Sequence, residues 1–183
     1  MRVITGEVRG KKLKALDGEE TTRPTTDMVK ESIFSIIQFD VPQANVLDLF
    51  AGSGQLGIEA ISRGAKHCVF VESNREAYNV VKENVLDCKF TDRARILNMD
   101  AFEYLKMAKR DIDVALLDPP YRNGIIEKVM PLLESLMSDN AVVVCEHERK
   151  LELPDSFGRL VKHKTYNYGK MSLTVYKTVS SEE

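Results

Sequence analysis

Apolar and polar positions divide the chain into two regimes. Residues 2–5 and 11–16 read as a short hairpin around Gly6 to Gly10, followed by a polar stretch from Asp17 to Thr22. Arg23-Pro24-Thr25-Thr26-Asp27 then precedes a helical pattern whose apolar positions are Met28, Ile33, Phe34, Ile36 and Ile37. Thr25 or Thr26 stands where a side-chain oxygen caps a first helical turn. From Val46 the rhythm becomes strand, helix, strand, helix. Strands are predicted over 45–49, 68–72, 94–97, 113–117 and 140–145, and helices over 55–63, 75–87, 101–109 and 124–137. Strands rich in Val, Ile and Leu and separated by helices predict βαβ units, hence a parallel sheet covered on both faces. After Glu146 the pattern changes to two strands, 159–166 and 171–178, about Asn167-Tyr168-Gly169. That hairpin is expected to add antiparallel strands to one edge.

The 183 residues fit one domain with a substantial core. The expected division is an N-terminal extension over 1–22, an α/β core over 23–178 and a disordered tail over 179–183. Hydrophobic residues at 43% and charged residues at 30% are ordinary for a soluble protein. No apolar run approaches the roughly 20 residues that span a bilayer, and MRVITGEVRGKK lacks an apolar signal core, so no membrane partner and a cytoplasmic location are expected. Cys68, Cys88 and Cys145 show no CxxC spacing, and His67, His147 and His163 are as scattered. Reduced structural thiols and no metal site are the expectation.

A net charge of −2 argues against a generic nucleic-acid binder, but its distribution is uneven. Residues 1–14 hold five basic and one acidic residue, residues 147–177 hold seven basic and three acidic, and the middle is acidic. Two basic ends form a phosphate-facing surface if they meet in space; otherwise they are solvated side chains on surface strands.

Chemistry concentrates at strand ends. Val46 through Gly57 is a strand running into a glycine loop and a helix, with Gly52, Gly54 and Gly57 matching GxGxxG. Small residues there let a ligand approach the backbone, and the helix start offers N–H groups. Glu72 ends the next strand, placed to accept from ribose hydroxyls. NAD(P) and S-adenosylmethionine both fit this much. Asp48, inside the strand, favours the second: a buried carboxylate needs a partner, an ammonium supplies one, and a pyrophosphate is repelled. Asp100 follows the third strand, where it can accept from an adenine amine, cap the next helix, or both. The chain also lacks room for the separate substrate domain of many dehydrogenases.

Asp118-Pro119-Pro120-Tyr121 follows the buried run Val114–Leu117. The prolines remove two backbone donors. A carboxylate and a carbonyl that accept from N–H groups, with a ring that stacks, suit a flat amine at the C-terminal end of a central strand.

Asp48 through Gly57, Glu72, Asp100 and the Asp118–Tyr121 tetrapeptide together resemble the Rossmann-like class I S-adenosylmethionine-dependent methyltransferases, in the branch that methylates nitrogen of planar amines or amides. TGEVRGKKL followed by RPTTDMVKESIF resembles, more narrowly, the bacterial 16S rRNA guanine-N2 methyltransferases of the RsmD type, over Arg2 to about Lys177. The resemblance implies a mostly parallel seven-stranded sheet with helices on both faces and a C-terminal antiparallel hairpin. It implies that Asp48, Ala51, Gly52, Ser53 and Gly54 line the methionine end of the cofactor, with Phe50 and Ser73 counted in the same site. Glu72 would hold the ribose, and Asp100 with the Ala101 backbone the adenine. Asp118 and the Pro119 carbonyl would bind the target amine beside Pro120, Tyr121 would stack on the base, and Arg23 and Thr25 would face the pocket or the RNA. The implied partner is 16S rRNA or a partly assembled small subunit, with no stable protein partner. Three other readings stand beside this one: methylation of adenine N6 or a protein glutamine, where Asn is usual at the position of Asp118; a non-catalytic assembly factor; and an NAD(P) oxidoreductase.

Overall fold

A computed structural model describes residues 1–16, 27–120 and 124–179. The elements run α1 (Asp27–Ile36), β1 (Asn45–Asp48), α2 (Gln55–Ser62), β2 (His67–Val71), α3 (Arg75–Asp87), β3 (Ala94–Leu97), α4 (Ala101–Met107) and β4 (Ile112–Leu117). They continue with α5 (Ile125–Glu134), β5 (Met137–Glu148), β6 (Ser156–Phe157), β7 (Leu160–Tyr168) and β8 (Met171–Thr178). One sheet takes the order β3-β2-β1-β4-β5-β8-β7-β6. Pairing is parallel from β3 through β5 and antiparallel from β5 through β6.

The direction of strand addition reverses at β1: β2 and β3 lie to one side, β4 and β5 to the other. Crossovers of one hand on the two sides must use opposite faces, so a crevice opens where they part, beyond the C-terminal ends of β1 and β4. Register places Asp48 against Leu116. Asp118 therefore lies two residues beyond a β1 partner, at the same crevice.

Two apolar layers sandwich the sheet. Val46, Val114, Leu116, Val142 and Val144 pack with α1, α2 and α3 residues such as Phe34, Ile58 and Val81. Leu47, Ala115, Leu117, Val143 and Cys145 pack with α4 and α5 residues such as Leu105, Val129 and Leu133. Successive strand residues point to opposite faces, so an unbroken run such as Val114–Leu117 feeds both layers.

Among the described residues the sheet has eight strands where seven were expected. The extra one, β6, is two residues long, too short for any periodicity, and its Phe157 ring lies 5.5 Å from that of Tyr176. β5 begins three residues earlier than expected because Met137 pairs with Ile112 across a register irregularity. The expected N-terminal hairpin reduces to one antiparallel bridge, Arg2 with Lys12. Val3, Gly10 and Leu13 amides still donate across it, to Lys11 O, Val3 O and Met1 O, while others find partners on α2: Ile4 and Thr5 donate to the Glu59 carboxylate at 2.8 and 3.0 Å, Glu7 to the Ser62 carbonyl and Val8 to the Ser62 hydroxyl. The candidate caps Thr25 and Thr26 lie outside the described residues, as do 180–183.

Glu59 is the centre of that docking. It is fully buried, 3.6 Å from the equally buried Lys30 ammonium of α1 and 2.8 Å from Arg63 Nε. Lys30 also donates to the Arg2 carbonyl. Removing one member of such a network leaves a buried charge without compensation. Glu59→Ala is expected to cost about 3–5 kcal/mol in urea unfolding and to expose residues 1–14 to protease. A loss under 1 kcal/mol would mean that the network does not hold the N-terminal segment.

Candidate active site

Past Asp48 the chain turns through Leu49 to Gly54 into α2. Both flanking strands hold this loop: Leu49 N donates to Leu116 O at 3.2 Å and Ala51 N to Val71 O at 3.0 Å. Gly52 N donates to Glu72 Oε2 at 2.8 Å. Gly54 stands at the N-cap of α2 with φ 78, a left-handed conformation that side chains resist. Gly57 serves packing: a Cβ there would sit 2.2 Å from Phe70 Cε1 and 2.8 Å from Cys68 Sγ. The absent side chain lets α2 lie down on β2.

Asp48 lies beneath the loop at 1% exposure. Its Oδ2 accepts from Gly57 N at 3.0 Å, while Oδ1 is buried with no hydrogen-bond partner among the described residues. Burial pushes the carboxyl up to about 7; the Gly57 amide opposes the shift, and the nearby Asp118 and Glu72 carboxylates add to it. The partner expected for a buried carboxylate is thus half supplied by the fold itself.

Glu72 ties two loops together, accepting from Gly52 N through Oε2 and from Asn74 N at 2.7 Å through Oε1. A carboxylate has about four lone-pair positions, so these bonds leave room for two more. Asn98 Nδ2 braces the same turn by donating to Glu72 O at 2.8 Å and Ser73 O at 3.0 Å. Asp100 caps α4, and both capping bonds, from Phe102 N and Glu103 N, end on Oδ1.

These groups line a cleft of about 740 Å³, a volume usual for small-molecule sites. The structure brings Phe50, Ala51, Gly52, Ser53, Glu72, Ser73, Asp100, Ala101, Asp118 and Pro120 to its wall. Asp48 and Gly54 stand behind the wall, Gly54 against Val81. Pro119 is buried and lines a second cavity of about 250 Å³, which shares Pro120 and Ile125 with the first. Arg23, Thr25 and Tyr121 lie outside the described residues.

Several wall residues were not anticipated. Met99 and Phe102 flank Asp100, and their apolar character beside a strand-end acid was a legible signal. Met1 and Leu16 carried no such signal. Tertiary docking brings them in, helped by Asn84 of α3, which accepts from Lys14 N at 2.8 Å and donates to Lys14 O and Ser53 O.

The charged side chains on the cleft wall are Glu72, Glu76, Asp100 and Asp118; among the described residues no Lys, Arg or His side chain lines it. Such a wall suits a cationic ligand and opposes a pyrophosphate. The basic ends are partly neutralised, with Arg2 on Asp27, Arg159 on Glu134 and Lys162 on Asp155. Among the described residues no three His, Cys, Asp or Glu side chains group as metal ligands, and no helix is long and apolar enough to cross a membrane.

Residues 1–177 match the protein family described as Conserved hypothetical protein 95. The chain is 41% identical over 182 residues to the putative rRNA methyltransferase YlbH of Bacillus subtilis, covering 97% of this chain and 98% of the relative. It is 36% identical to the ribosomal RNA small subunit methyltransferase D of Haemophilus influenzae, over 90% of this chain and 88% of that one. The solved structure of the putative methyltransferase yhhF from Escherichia coli superposes with a TM-score of 0.88 at 33% identity, covering 97% of each chain.

The Asp48 environment predicts a pH dependence. The folded-state pKa of about 7 lies above the ordinary 3.8. The stability that protonated Asp48 contributes is therefore present below pH 4 and lost as pH rises through about 7, a change of roughly 4 kcal/mol. Asn at 48 keeps an acceptor for Gly57 N and does not ionise. The unfolding free energy of Asp48→Asn relative to the parent protein should rise by a few kcal/mol between pH 5 and 8 in the absence of ligand. Parallel curves would remove the buried ionisation.

Proposed function

The chain belongs to the RsmD-type family of rRNA methyltransferases, and from that premise we propose that it methylates the exocyclic N2 amine of a guanine in 16S rRNA, using S-adenosylmethionine. The observation that carries this reading is the acidic cleft, free of basic side chains among the described residues, with Asp118 and Pro120 on its wall and Pro119 in the adjoining cavity. Its fit to the cofactor rests on chemistry already described. The unpartnered Asp48 Oδ1 and the acidic wall match the ammonium and sulfonium charges. Glu72 keeps acceptor positions for ribose hydroxyls, and Asp100 Oδ2 and the Ala101 backbone suit an adenine edge between Met99 and Phe102.

When bound, S-adenosylmethionine supplies an electrophilic methyl group. The chain's own residues position the amine and stabilise its charge. The guanine amine is a poor nucleophile because its lone pair is delocalised into the ring. Asp118 and the Pro119 carbonyl accept from its N–H groups, orient the lone pair, and stabilise the positive charge that develops on nitrogen. The reaction needs no covalent enzyme intermediate, which accords with three cysteines that are all buried, with burial pushing each thiol up. A guanine stacked in RNA must leave the stack to reach the crevice, at a few kcal/mol; Tyr121 stacking offsets about 1–3 kcal/mol of that. The exposed basic residues Arg9, Lys11 and Lys12 suit phosphate contacts.

The direct test incubates the protein with labelled S-adenosylmethionine and under-methylated 16S rRNA or small subunits, then maps the modified nucleoside; N6-methyladenine in place of N2-methylguanine would overturn the base assignment. Asp118→Ala is expected to lower turnover by about 10²–10³-fold while S-adenosylhomocysteine still binds, and undiminished turnover would take Asp118 out of the chemistry. Glu72→Ala should weaken S-adenosylhomocysteine binding at least tenfold by calorimetry; unchanged affinity would sink the ribose role.

A further inference from the structure

The second cavity, about 250 Å³, opens beside the large cleft. It meets the large cleft at Pro120 and Ile125, and Pro119 forms its wall. Its apolar side, Pro119, Pro120, Ile125 and Ile126, suits the faces of a planar ring. Its polar side carries Glu127 from the first turn of α5 and Glu146 from the end of β5, with Glu148 and Lys150 further along the wall. Glu127 Oε2 is buried with no hydrogen-bond partner among the described residues, and Glu146 is 3% exposed. Neighbouring His147 is held by Glu148 O at 2.9 Å and Thr174 Oγ1 at 2.8 Å, and burial lowers its pKa.

We propose that this cavity seats the target purine and selects guanine, with Glu127 and Glu146 accepting from the ring N1–H next to the amine held by Asp118 and Pro119. This rests on the proposed methylation of guanine N2 and adds the residues that recognise the base. The selectivity follows from hydrogen-bond inventory. An ionised carboxylate only accepts. The guanine edge offers adjacent donors, N1–H and the N2 amine. Adenine N1 and cytosine N3 are acceptors and face a carboxylate lone pair to lone pair. A site built to bond a donor rejects an analogue that lacks it far more strongly than shape alone allows. Seating the ring on the α5 side of the two prolines also leaves its amine at Asp118, the residue at the rim of the methyl-donor cleft.

2-Aminopurine separates amine from ring donor, because it keeps the 2-amino group and has an acceptor at N1. RNA carrying either guanine or 2-aminopurine at the mapped position is assayed with the full-length protein and labelled S-adenosylmethionine. The parent protein is expected to favour guanine by at least 100-fold in kcat/KM. Glu146→Gln and Glu127→Gln, whose amides can donate, are each measured, and at least one should shrink that preference about 10- to 100-fold while S-adenosylhomocysteine affinity stays within twofold. Equal use of both bases by the parent protein overturns the proposal without any variant. An unchanged preference in both variants overturns it as well. If the parent transfers no methyl to guanine-containing RNA, the functional reading itself fails, and this inference with it.

Discussion

One hydrogen bond joins the halves of the site: Asp48 Oδ2 accepting from Gly57 N, out of water. It fixes the end of β1 to the first turn of α2 and so sets the path of the loop between them. The bond is possible only because Gly57 lets α2 approach Phe70 and Cys68 more closely than any side chain allows. Burial that raises the carboxyl to about 7 is the cost of this arrangement, and it leaves Oδ1 in need of a positive or donating partner. A structural bond and a preference for a cationic ligand thus come from the same side chain.

The acids around the cleft share that economy. Glu72 closes the glycine loop with one oxygen and starts the β2–α3 turn with the other, while standing on the cleft wall. Asp100 caps α4 through one oxygen. Bonds inside the fold hold each group in place before a ligand arrives, which reduces reorganisation on binding. Because the Asp118 and Glu72 carboxylates both add to the cost of ionising the buried Asp48, an arriving cation relieves it.

The N-terminal segment is coupled to the same machinery. Glu59 and Ser62 of α2 hold residues 4–8, and Asn84 of α3 links Lys14 to the Ser53 carbonyl in the glycine loop. A segment rich in basic residues therefore rests on the two helices that also frame the cleft. The basic segment at one end and the glycine loop at the other are thus joined through α2 and α3.

Periodicity and strand-end chemistry made the alternating core, Asp48, the glycine loop, Glu72, Asp100 and Asp118 legible in the sequence, because each depends on neighbours within a few positions. The resemblance of the tetrapeptide and of RPTTD to a family reached as far as the substrate class. Contacts between distant segments were not legible. No local pattern shows that Ile4 and Thr5 donate to Glu59 instead of to a partner strand, that a two-residue β6 extends the edge, or that Met1 and Leu16 reach the cleft wall. Nor does it show that Asp48 finds half its partner at Gly57, or that Pro119 opens toward Glu127 and Glu146. The sequence by itself determined which residues carry chemistry and the rhythm that brings strand ends together. Tertiary structure alone decided which cavity each residue faces, because burial, backbone partners and charge proximity arise between segments tens of positions apart.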